Sequence, residues 1–283
     1  MKSVHQAGLK KNKDKEMKQI SILGCGWLGL PLAEALIADG FSVKGSTTSE
    51  NKMPILEKIG IEPFLIALSE NTPLGSISDF LENSSILIID IPPKLRGTEK
   101  ENFVSKIAYL IPFIKKSTIQ NVLFVSSTSV YGNADDIITE ETPPKPDTES
   151  GKQLLEAEML LQKNDSFKTT VLRFGGLIGD DRNPVKFLSG KQNIENPDAP
   201  INFIHQEDCI GIILQIIARN SWNQLYNGVS PFHPTRELYY TQKATELNLP
   251  LPKFDHSKTA VKRLISGDKA ANELGYFFIK TNL

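Results

Sequence analysis

Cysteine is nearly absent from this chain, with Cys25 and Cys209 the two present. Two residues so far apart build no disulfide framework, and neither stands in the paired Cys/His spacing that holds a metal. A reducing compartment is therefore expected and a metal site is not. Long apolar runs are missing too. No stretch reaches the length that spans a bilayer, and the N-terminus lacks the apolar core of a signal peptide, so a cytoplasmic location away from membranes is expected. An excess of charge of either sign is also lacking, with 32 Lys and Arg against 33 Asp and Glu. That balance supplies no long-range field toward nucleic acid or an anionic membrane and leaves small molecules as the expected ligands. No internal repeat or low-complexity tract is visible. What is there, 283 residues of which 40% are hydrophobic, suits one large α/β unit with a smaller one appended.

The first sixteen residues, MKSVHQAGLKKNKDKE, are Lys-rich without an apolar period and read as a disordered basic tail. Met17 follows directly before the first strand, which makes it a candidate for the natural start. From Lys18 onward short apolar runs alternate with helical periods. Strands are expected near 19–23, 41–46, 63–67, 86–91, 121–125 and 169–174, and a helix over 27–39, where Leu28, Leu32, Ala35 and Leu36 share one face before Gly40. Such alternation predicts a parallel sheet covered on both faces. The organisation expected is a nucleotide-binding unit over 17–180. A small substrate lobe over 181–283 follows, with elements near 201–230 returning to the sheet.

The turn after the first strand reads GCGWLG, with glycines at 24, 26 and 29. Dinucleotide binding needs a tight turn at Gly24, close approach of backbone to a pyrophosphate at Gly26 and close helix–strand packing at Gly29, while Trp27 and Leu28 offer amide donors. The strand before and the amphipathic helix after supply the context the motif requires, and the fold class is α/β, a doubly wound parallel sheet of the Rossmann type. At the end of the second strand an NAD site places a carboxylate for the ribose hydroxyls. Thr47 stands there instead. Thr47, Thr48 and Ser49, with Lys52 close by, suit a 2′-phosphate, so NADP is expected over NAD, although the same residues also suit an ordinary turn. Ile91 and Pro92, where the fourth strand ends in ILIIDIPPK, are expected as walls of the same site or as a rigid loop start.

Residues 123–132 read LFVSSTSVYG. This run resembles the extended short-chain dehydrogenase/reductases, the nucleotide-sugar epimerases and dehydratases. EETPPKPDTESG, VLRFGGLIGDDRNP, INFIHQEDCIGIIL and YNGVSPFHPTRELY follow in that family's order. The resemblance implies an NAD(P) cofactor, a nucleotide-sugar or small carbonyl substrate and a possible homodimer. It also implies a Tyr-x-x-x-Lys pair at the start of the helical stretch over 148–160, TESGKQLLEAEML. Counting from Glu158 puts Ser150 and Leu154 at those two positions. A serine hydroxyl is a far weaker acid than a phenol, and leucine brings no cation, so the usual proton transfer is lost. The chain is thus similar to an atypical branch that keeps the glycine loop and lacks the pair. Ser127 and Tyr131 remain as catalytic candidates, Ser127 where the family bonds the substrate oxygen and Tyr131 beside it, with a purely packed Tyr131 ring as the other reading. Two functions stay open: an epimerase or reductase with a relocated acid–base group, and a dinucleotide-binding sensor or scaffold without turnover. Arg182, His205 and Asp208, and in the last lobe His233 and Arg236, are polar residues that suit either a substrate pocket or local structure.

Overall fold

In the computed structural model, which describes residues 18–70, 73–93, 102–133, 136–257 and 262–280, the alternating apolar runs become parallel strands. The Lys-rich tail and Met17 lie outside the described residues. Strands β1 (Gln19–Leu23), β2 (Ser42–Thr47) and β3 (Glu62–Leu65) are joined through α1 (Gly29–Ala38) and α2 (Met53–Lys58). Then come α3 (Ile77–Leu81), β4 (Ser84–Ile89), α4 (Phe103–Lys116), β5 (Asn121–Ser127), a two-residue β6 (Ile137–Ile138), α5 (Glu149–Gln162) and β7 (Lys168–Phe174). The last third adds β8 (Gly176–Ile178), α6 (Val185–Leu188), β9 (Phe203–His205), α7 (Gln206–Ala218), β10 (Leu225–Gly228), α8 (Arg236–Glu246), β11 (Leu264–Ile265) and α9 (Asp268–Leu274).

Seven strands form one parallel sheet in the order β10-β7-β5-β4-β1-β2-β3. Period-2 alternation explains why the strands read as continuous apolar runs. In β4, Ile86 and Ile88 join Leu32 and Leu36 of α1 and Ile212 of α7 on one face, while Leu87 and Ile89 join Leu110 of α4 and Leu161 of α5 on the other. Each fully buried side chain of this kind contributes about 1.5–3 kcal/mol. A third, smaller cluster holds Ile178, Val185, Ile201, Tyr239, Tyr240 and Ala244, all from residue 178 onward in the chain. Among the described residues no helix is long and apolar enough to cross a membrane.

The connectivity fixes where a ligand can sit. The chain runs from β1 outward through β2 to β3, then crosses back to lay β4 on the opposite side of β1. The crevice at the carboxyl ends of strands where the order reverses is the usual ligand position in open α/β sheets. Here it brings the glycine loop after β1 beside residues 90–92 after β4.

Candidate functional site

The glycine loop is held by contacts that leave little freedom. Gly24 adopts φ +110°, and its amide donates to Ser46 Oγ at 2.9 Å, while the Cys25 amide donates to the Ser46 carbonyl at 2.8 Å. A side chain at Gly24 would overlap the Asp90 carbonyl, and one at Gly29 would overlap the Gly24 carbonyl. At Gly26 a Cβ would meet nothing within 4 Å. Gly24 and Gly29 are thus required by packing, whereas Gly26 faces open space that backbone alone leaves free.

That space is a cleft of about 290 Å³. Gly24, Cys25 and Gly26 form its base, Thr47, Thr48 and Lys52 one end, and Asp90, Ile91 and Pro92 the wall from β4. Ser46, Ile66, Phe103 and Lys106 also line it. Thr47 and Thr48 sit where β2 ends. Thr47 Oγ1 accepts from the Ser49 amide at 3.2 Å, so its hydroxyl hydrogen remains to donate. Ser49 lies outside the lining and shapes the turn instead. Leu28 is buried in the core, and the Trp27 ring leaves the cleft for the far side of the loop. There Trp27 Nε1 donates to Asp181 Oδ1 at 2.8 Å, Arg182 stacks over its ring at 5.0 Å, and Gln206 Nε2 donates to its carbonyl at 2.6 Å.

Asp90 is the residue that sequence reasoning missed. It ends an otherwise apolar strand, and that lone carboxyl at the carboxyl end of a central strand was the available signal. Burial pushes its acid up to about 8 from 3.8, against the opposing pull of the Gly29 amide. Burial also raises Cys25 to about 12, with Asp90 adding to the shift. A redox or nucleophilic role for Cys25 therefore has no support, and its side chain fills the small space beside Gly45.

The catalytic candidates fall elsewhere. Tyr131 is 2% exposed, packs with the apolar residues between the sheet, α4 and α5, and donates its hydroxyl to Asn227 Oδ1 at 2.8 Å. Arg173 lies 4.7 Å from its ring centroid. Burial raises the phenol, with Arg173 opposing, the reverse of what an acid–base group at neutral pH needs. Tyr131 thus sits as a packed ring, the reading set beside the catalytic one, with its hydroxyl held by a side chain where backbone was the expected partner. Ser127, at the end of β5, is half-buried, and its Oγ accepts from the Ser129 amide at 3.2 Å. Neither residue lines the cleft over the glycine loop. On α5, Leu154 is buried, Ser150 half-buried and Lys152 exposed. Glu158 accepts from Ser126 Oγ at 2.5 Å and from Arg173 Nη2 at 2.6 Å, a buried ion pair that ties α5 to the sheet.

A second concavity of about 320 Å³ lies beyond Trp27, lined by Arg182, Asn183, His205, Tyr239, Lys243 and Lys280. His205 caps α7, its Nδ1 accepting from the Glu207 amide at 3.3 Å. Asp208 is fully buried and accepts from Tyr276 Oη and from the Ile279 amide, both at 2.7 Å, which makes it a structural clamp on the C-terminal segment. His233 Nδ1 lies 2.9 Å from the Ile201 carbonyl, and Arg236 donates to the Glu195 carbonyl at 2.9 Å, so both hold loops of the last lobe.

None of the protein-family models matches this sequence. The chain is 34% identical over 262 residues to protein YeeZ of Escherichia coli K12, covering 92% of this chain and 95% of that protein. Among solved structures, a putative NAD-dependent epimerase/dehydratase from Methylobacillus flagellatus is 26% identical, with a TM-score of 0.74 over 94% of this chain and 95% of that one. UDP-glucuronic acid 4-epimerase from Bacillus cereus, in complex with NAD, superposes with a TM-score of 0.78 over 92% and 91% at 16% identity, a likeness of fold.

Proposed function

On the premise that the chain belongs to the family of YeeZ, within the extended short-chain dehydrogenase/reductases, we propose that it binds NADP in preference to NAD. We further propose that it acts on a nucleotide sugar or a small carbonyl or hydroxyl compound through a site that has lost the Tyr-Lys pair. The observation that carries the reading is the free space over Gly26 at the base of the cleft, where a diphosphate can approach backbone. Gly24, Gly26 and the Trp27 and Leu28 amides would hold the diphosphate, and Ile91 and Pro92 would wall the cofactor. Thr47, Thr48 and Lys52 would meet a 2′-phosphate, with Ser49 shaping that turn. When bound, the nicotinamide supplies a hydride acceptor or donor. The chain's part in chemistry is then to hold a substrate oxygen at Ser127.

A second reading, a dinucleotide-binding sensor or scaffold without turnover, is favoured by the buried Leu154 and by a Tyr131 hydroxyl already committed to Asn227.

Melting curves with NADP, NADPH, NAD and NADH test the binding step, since a ligand specific to the folded state stabilises by about 2.7 kcal/mol at a hundred times its Kd. NADP or NADPH should give the larger rise, and Thr47→Asp should turn the preference toward NAD. No rise with any of the four defeats both readings. Hydride exchange over nucleotide sugars and small ketones then separates them, with Ser127→Ala expected to lower turnover if turnover exists.

A further inference from the structure

Asp90 sets an acid against the place where an anion is expected. Its Oδ2 is close enough to Gly29 that a methyl there would come within 3.2 Å of it, and the Gly29 amide bonds the carboxyl at the first turn of α1. That turn is the positive end of the helix, the same end the foregoing reading gives to a diphosphate. A carboxylate and a diphosphate sharing it would repel.

Resting on the dinucleotide reading, we propose that Asp90 is a cofactor-positioning residue that accepts the diphosphate only as the neutral acid, so that binding is coupled to uptake of a proton at its carboxyl. The protonated acid removes the repulsion and adds an O–H donor beside the loop. In the charged form it competes with the diphosphate for the helix end.

The groups packed around Asp90 leave it as the titrating member. Cys25 in the loop and Cys209 on α7 are both thiols held well above neutral pH by burial. Lys52 and Lys106 contribute ammonium groups from the other walls. With the acid titrating near 8, its charge changes within a range that solution experiments reach easily.

Calorimetric titration of the full chain with NADP and with NAD from pH 7.0 to 9.5 tests this. The window lies above the range in which a phosphate monoester titrates, at about 6. Affinity should be flat at the lower end and then weaken toward about tenfold per pH unit, with uptake of about half a proton per dinucleotide near pH 8. Proton uptake is read from the heats in two buffers of different ionisation enthalpy and needs no variant. Asp90→Asn should bind with an affinity that no longer depends on pH, and Asp90→Ser serves if the asparagine variant does not fold. Dinucleotide binding that is flat with pH and takes up no proton overturns this inference while leaving the cofactor reading intact, as does an Asp90→Asn variant that keeps the parent's slope. Absence of binding at every pH overturns both.

Discussion

Asp90 also bears on stability, independently of any ligand. Its acid titrates near 8 in the folded chain against an ordinary 3.8. Between about pH 4 and pH 8 the folded state therefore keeps a proton that the unfolded state has released. Stability from this group falls as pH rises through that window and is level above it. Asp90→Asn keeps an acceptor for the Gly29 amide and cannot ionise. The variant should gain on the parent progressively from pH 4 to 8 and hold a constant advantage above. Urea unfolding across that range measures it, and parallel curves would contradict the burial of the acid. The Glu158–Arg173 pair is a different case, because both partners are buried and already matched. Removing one leaves the other charge alone, so Glu158→Ala should cost about 3–5 kcal/mol. Tyr131→Phe deletes a single buried hydrogen bond and should cost about 1 kcal/mol, with ligand binding unchanged. A Tyr131→Phe variant of full stability and reduced turnover would restore the phenol to a catalytic role.

The three glycines of the loop look alike in sequence and differ in what their surroundings demand. Gly26→Ala places a methyl in open space at an ordinary φ, so the melting temperature should stay within a degree or two while dinucleotide affinity drops tenfold or more. Gly29→Ala meets the Gly24 carbonyl and should lower both. Equal losses of stability in the two variants would mean that the free space over Gly26 is not there. Their roles were legible in the sequence because local spacing, a preceding strand and a following helix define them. Asp90, half-buried at the cleft wall, was not, since its surroundings include the first turn of α1 and Cys209 of α7, the latter far along the chain. The strand β10 was equally hard to read. Its Tyr-Asn-Gly run has turn chemistry, and it becomes a strand only because Gly228 packs against the Phe174 ring and the Asn227 amide bonds Glu140. The catalytic candidates show the same division: Ser127 and Tyr131 are neighbours in sequence, but the turn after β5 sends the tyrosine into the core.

At the scale of the molecule, Trp27 joins the two concavities. Its backbone belongs to the glycine loop, its carbonyl accepting from Gln206, and its ring is held by Asp181 and by Arg182, which lines the second pocket. A ligand that drew the loop amides toward itself would pull on those contacts. The chain holds two tryptophans. Trp222 is buried away from the loop, its Nε1 donating to Asn220 Oδ1 at 2.7 Å. Saturation with dinucleotide should therefore change tryptophan emission through Trp27 alone. Trp27→Phe should abolish the change while keeping ring packing, and Arg182→Ala, which removes the stacked cation, should alter its size. If Trp27→Phe kept the full response, the signal would belong to Trp222, and the loop would be rigid toward its ligand.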